Sequence, residues 1–135
     1  MASILIIDDD PQIHSLFGQV LERIGHRVLT ASDGNQGLLV FRQKLIDLVI
    51  TDVFLPEKGG LWVILALRRE SSTVPIIAFA GGAEGDQFLE MAKLLGAQRT
   101  LVKPFPVSKL IHAVQQELLW NEGPKHVAAR GETIS

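Results

Sequence analysis

Ile4-Leu5-Ile6-Ile7-Asp8-Asp9-Asp10-Pro11 is the stretch that decides the fold. An unbroken apolar run of strand length stops abruptly at three carboxylates and a proline. Continuous rather than alternating apolarity marks a parallel strand covered on both faces. Beyond Pro11, residues Ile13, Leu16, Phe17, Val20, Leu21 and Ile24 recur at three- and four-residue steps, the stripe of an amphipathic helix. Asp10 suits the N-cap of that helix, Pro11 its first turn and Gly25 its end.

The same unit repeats along the chain. Apolar or β-branched runs predict strands over 27–30, 48–51, 74–79 and 100–102. Helical segments are expected between and after them, over 34–44, 60–70, 84–95 and 107–119. Five strands alternating with five helices predict an α/β, doubly wound (βα)5 fold. Its five-stranded parallel sheet would be covered by helices on both faces.

Composition narrows the function classes. The 135 residues suit one compact domain, 47% of them are hydrophobic, and Lys+Arg 13 against Asp+Glu 15 leaves a net charge of −2. A chain without a basic surplus is not expected to bind nucleic acid directly. No apolar run reaches the length of about 18 residues that a membrane span needs, and no basic leader precedes an apolar core. A cytoplasmic domain over 1–120 is therefore expected, followed by a flexible tail over 121–135 that contains Gly123-Pro124. No DNA-binding or other output module is expected in this chain. With Cys 0, thiolate metal sites are excluded.

Doubly wound sheets place their sites beyond the carboxyl ends of the strands. Here the first strand ends in Asp8-Asp9-Asp10, the third in Asp52 and the fifth in Lys103-Pro104. A nucleotide-binding relative of this architecture would place glycines after the first strand. Carboxylates in that place attract a cation instead, and oxygen ligands alone favour Mg2+ or Mn2+. Asp10, just before Pro11, reads as a helix cap rather than a ligand.

These residues resemble the receiver domain of bacterial two-component response regulators, of the single-domain type, over residues 3 to about 119. The resemblance is carried by Asp8-Asp9-Asp10-Pro11, by Thr51-Asp52 with Phe54, Pro56 and Gly60-Leu61, by Val74-Pro75-Ile76-Ile77 and by Lys103-Pro104-Phe105. All four pieces occur in order and at matching intervals. The resemblance implies a flavodoxin-like strand order of 2-1-3-4-5. It also implies that Asp52 is the phosphoacceptor, taking a phosphoryl group from a sensor histidine kinase or histidine phosphotransfer protein. Mg2+ would be held by Asp9, Asp52 and the backbone carbonyl of Phe54, with Asp8 on a metal-bound water. Lys103 and the backbone N–H of Gly81 would contact the phosphoryl group, and the Lys103–Pro104 peptide would be cis.

Two positions depart from the receiver pattern. The usual Thr or Ser at the end of the fourth strand is Ala80, and the usual Tyr or Phe three residues before the lysine is Thr100. These atypical switch positions favour a rival reading as an adaptor that is never phosphorylated. A third reading makes the chain the receiver part of a longer regulator. An aspartate-nucleophile phosphatase would need an acid where Phe54 stands. His14 occupies a position where Arg is common and is expected at the helix surface.

One further stretch lies outside the site. Leu61-Trp62-Val63-Ile64-Leu65-Ala66-Leu67 has no polar face. Packing Leu61, Ile64 and Leu65 on the sheet would turn Trp62 and Val63 partly outward. That marks them as a candidate interface for an unknown downstream protein or for a homodimer.

Overall fold

The computed structural model describes residues 1–56 and 59–121. Strands and helices alternate along them: β1 (Ser3–Ile7), α1 (Pro11–Arg23), β2 (Arg27–Ala31), α2 (Gly34–Gln43), β3 (Leu48–Asp52), α3 (Gly60–Glu70), β4 (Ile76–Ala80), α4 (Gly85–Leu95), β5 (Arg99–Val102) and α5 (Val107–Asn121). All strand pairs are parallel, and the sheet order is β2-β1-β3-β4-β5. Chain order thus reverses between β1 and β3, and the crevice opens beyond their carboxyl ends. The tail expected over 121–135 lies, past Asn121, outside the described residues.

The alternation of side chains across a strand divides the interior into two cores. Ile4 and Ile6 of β1 face one side, with Leu48 and Ile50 of β3 and with Phe17, Leu21, Leu110 and Val114 from α1 and α5. Leu5 and Ile7 face the other, with Val49, Ile76 and Ala78 and with Val63, Ile64, Leu67, Leu89 and Ala92 from α3 and α4. Every residue of β3 and β4 is buried, which is why residues 48–50 and all of β4 read as unbroken apolar runs, with buried Thr51 and Asp52 closing β3. The edge strands β2 and β5 expose Arg27, Thr30 and Val102.

Several expectations need correction. β4 begins at Ile76 rather than at residue 74, because Pro75 has no N–H for the ladder and only its carbonyl accepts, from Val49 N at 3.0 Å. Leu16, placed in the buried stripe of α1, is exposed, and Phe17, Gly18 and Leu21 are the buried face. Val63, read as partly outward, is fully buried, whereas Leu65, read as inward, is exposed. Val63 packs where α2 starts: a Cβ on Gly34 would collide with its Cγ2. A helix apolar all round carries no periodicity from which its inward face can be phased. Among the described residues no helix is long and apolar enough to cross a membrane.

Candidate metal and phosphoacceptor site

Asp8 leaves β1 with its N–H still in the sheet, donating to Ala31 O at 3.0 Å. Its side chain is buried; Oδ1 accepts from Asp10 N at 2.9 Å, while Oδ2 is buried with no hydrogen-bond partner. Burial pushes the Asp8 carboxyl up to about 6, against the Asp10 N–H, which stabilises the charged form; the neighbouring Asp52 charge raises it further. Asp9 is exposed at the mouth. Asp10 turns away and caps α1, accepting from Gln12 N at 2.9 Å, as its place before Pro11 suggests.

Asp52, the last residue of β3, is buried like Asp8. Its Oδ1 accepts from Phe54 N at 2.9 Å and its Oδ2 from Lys103 Nζ at 3.4 Å. Burial raises its carboxyl above the usual carboxylate range, and the Phe54 N–H and Lys103 oppose that rise. The following turn is tight: Gly60 N donates to Val53 O at 2.7 Å, and a Cβ on Gly60 would run into Asp52 O. Only glycine lets α3 begin so close to the end of β3.

Lys103 arrives from the far side of the crevice, where its N–H donates to Ala80 O at 2.7 Å. The Lys103–Pro104 peptide is cis, and Nζ lies 4.7 Å from the Phe79 ring centroid. A Cβ on Gly81 would sit 2.9 Å from Lys103 Cβ, so the missing side chain lets the two loops close together. Ala80 is fully buried, and Thr100 is half-buried in β5 opposite Ala78.

Asp8, Asp9 and Asp52 each bring a carboxylate oxygen within 4.8 Å of the other two. One nearby lysine does not balance them. The unpartnered Asp8 Oδ2 and the two raised carboxyls describe a cluster short of positive charge. A hard divalent cation with oxygen ligands fits that deficit.

Two contributors escape the motif reading. His14, expected at the helix surface, is half-buried, with Nε2 2.6 Å from Asp8 O and 3.2 Å from Ala31 O. Both partners only accept, so Nε2 carries the proton and ties α1 to the ends of β1 and β2. Its signal was available: His14 precedes Phe17 and Leu21 by helical steps and so shares their inward face. The second is Phe88 of α4, whose ring stands edge-on to Phe54. Of the residues read as an interface, Trp62 is 36% exposed at the rim of a groove of about 460 Å³ between α2 and α3, spanned by an Arg42–Glu70 ion pair.

The sequence pattern described as "Response regulator receiver domain" matches residues 4–115. The transcriptional regulatory protein CpxR of Escherichia coli K12 is 38% identical over 125 residues, covering 90% of this chain and 53% of CpxR. The probable transcriptional regulator ycf27 of Pyropia yezoensis is 37% identical over 107 residues, 79% of this chain and 43% of its own. The chain thus spans about half the length of the curated relatives it matches. Among solved structures, a response regulator receiver domain protein from Clostridium thermocellum superposes with a TM-score of 0.85 at 29% identity, covering 90% of this chain and 98% of the other. The chemotaxis protein CheY4 of Vibrio cholerae does so with a TM-score of 0.80 at 30% identity, covering 87% and 99%. With the fold, the carboxylate cluster and the pattern match in agreement, this chain belongs to the receiver domain family of two-component response regulators.

Proposed function

We propose that Asp52 is the phosphoacceptor of this receiver, charged by a sensor histidine kinase or a histidine phosphotransfer protein. The observation that carries the reading is the convergence of Asp8, Asp9, Asp52 and Lys103 from three strand ends on one crevice. An Asp52 carboxylate oxygen attacks phosphorus, a new O–P bond forms, and the P–N bond of the donor phosphohistidine breaks. The bonding pair leaves on the imidazole nitrogen. Lys103, already on Asp52 Oδ2, compensates negative charge on the transferring group, and the Gly81 N–H is a further donor for it.

Asp9, Asp52 and the Phe54 carbonyl would hold Mg2+ or Mn2+, with Asp8 on its water shell. When bound, the ion supplies charge neutralisation for the phosphoryl oxygens. The domain acts on no outside substrate; it signals through altered contacts with a downstream protein, and a cytoplasmic setting suits such a relay. The receiver is assigned residues 1–120, with 121–135 as an appended tail.

The rival reading, a receiver-like adaptor that works unphosphorylated, is favoured by Ala80, whose methyl offers a phosphoryl group no hydroxyl. One experiment separates the two. Intact mass after incubation with acetyl phosphate and Mg2+ should show one phosphoryl adduct in the wild type and none in Asp52→Asn. A wild type without the adduct refutes the phosphoacceptor reading.

A further inference from the structure

The crevice has an apolar wall as well as a charged floor. The Phe54 N–H is bonded to Asp52 Oδ1 at 2.9 Å, and the Phe54 ring, 43% exposed, meets Phe88 with centroids 5.1 Å apart and planes at 74°. Phe88 belongs to the first turn of α4. That turn is lightly held. No side chain caps it, Gly82 before it sits at φ 83°, and its leading bonds are long: Gly85 N to Gly82 O at 3.2 Å and Phe88 N to Glu84 O at 3.3 Å. From Ala80 to Ala83 no side chain carries a polar atom that could reach from the crevice to α4.

We propose that the Phe54–Phe88 contact couples the covalent state of Asp52 to the start of α4, closed while Asp52 is a free carboxylate and opened when it is phosphorylated. The inference rests on Asp52 being the phosphoacceptor. Two changes at Asp52 act on the ring pair. Phosphorylation turns a charged acceptor of the Phe54 N–H into a neutral one, and charge-assisted bonds are about twice as strong as neutral ones. A phosphoryl dianion also appears beside an apolar ring and is better solvated by water than by that ring. Phe54 is drawn out of its place, and Phe88 loses the partner that seats the first turn. An edge-to-face pair of this kind is enough to shift a two-state equilibrium by about two- to tenfold.

The test follows amide shifts of Gly85–Leu95 on adding Mg2+ with beryllofluoride, in the wild type, Phe88→Leu, Phe54→Leu and the double variant. Phosphoryl uptake from acetyl phosphate is measured by mass on the same preparations. Leucine keeps apolar volume at both places, and the spectra of the unliganded proteins report whether the fold is kept. The expected result is undiminished phosphoryl uptake in Phe88→Leu, with the α4 shifts cut to less than about half of wild type. The double variant should lose no more than either single one, because one contact is being removed. Wild-type-sized α4 shifts in a Phe88→Leu that still takes up the phosphoryl group overturn the coupling while leaving the phosphoacceptor intact. Additive losses in the double variant overturn it as well. Absence of uptake in the wild type overturns the phosphoacceptor reading, and the coupling with it.

Discussion

Two of the regions where this molecule buries charge treat it in opposite ways. Arg68 on α3 is a half-buried cation each of whose three guanidinium nitrogens finds an acceptor. Nε and Nη2 reach Gly96 O at 3.0 and 2.9 Å, Nη1 reaches Ser71 O at 3.0 Å, and Nη2 also reaches Gln98 Oε1 at 2.7 Å. Gln98 Oε1 in turn accepts from Ile76 N at 2.7 Å, so the network pins the ends of α3 and α4 to β4. Burial pulls the Arg68 guanidinium below its usual range, yet it finds acceptors throughout. At the crevice, Asp8 and Asp52 are buried side by side, share one lysine and leave Asp8 Oδ2 with no partner. A buried polar group without a partner costs stability. The fold satisfies charge where charge is structural and leaves it unsatisfied at the crevice, where the proposed cation would complete the set.

Breaking the satisfied network has the largest expected effect on stability. Arg68→Ala strips donors from Gly96 O, Ser71 O and Gln98, and should destabilise by about 3 kcal/mol in urea unfolding. Mg2+ affinity measured in the same preparation should be unchanged. A variant that lost cation binding in proportion would show that the two regions are not independent.

Removing charge from the unsatisfied region should do the reverse. In the metal-free protein Asp8 holds its proton up to about pH 6 when folded, against 3.8 for an ordinary aspartate. The folded state therefore binds more protons within that window, so stability falls as pH rises from 3.8 to about 6 and stays lower above. Asp8→Asn should flatten that slope, leaving the share that the raised Asp52 carboxyl contributes, and stabilise the metal-free protein at pH 7 by about 2 kcal/mol. It should also weaken Mg2+ binding by about tenfold or more. A destabilised Asp8→Asn would sink the contrast, because Asp8 would then be a structural charge like Arg68.

How much of this contrast could be read in the sequence depends on chain locality. The strands were legible because burial on both faces leaves unbroken apolar runs, and the crevice because Asp8, Asp9, Asp52 and Lys103 all end strands. The Arg68 network was not legible: beyond Ser71 O nearby, its acceptors are Gly96 O and the Gln98 side chain, brought in from the connection between α4 and β5. His14 was misjudged although its helical steps to Phe17 and Leu21 mark the inward face. Only its carbonyl partners, Asp8 O just past β1 and Ala31 O at the end of β2, were out of reach of the sequence. His14→Phe should therefore cost about 1 kcal/mol and lower Mg2+ affinity a few-fold by loosening the turn that carries Asp8 and Asp9. Thermal melts with and without Mg2+ would separate the two effects, and an unchanged affinity would confine His14 to packing.

The smallest expected effect, that of Trp62→Lys, tests α3, where an all-apolar sequence hid which face is inward. Trp62 and Val63 are neighbours in the chain but not in environment. Val63 is fully buried against the start of α2, while the Trp62 ring lies over Gly34 and borders the groove lined by Leu38, Leu65 and Ala66. Val63→Ala removes methyl groups from a packed core and should cost about 1–2 kcal/mol. Trp62→Lys replaces a half-exposed ring by a chain whose methylenes can lie over the same glycine while its ammonium reaches water. Its stability should stay within about 0.5 kcal/mol of wild type, with phosphoryl uptake at Asp52 unaltered. Equal losses in the two variants would mean that Trp62 is core, and the outward face of α3 would then be reduced to Leu65.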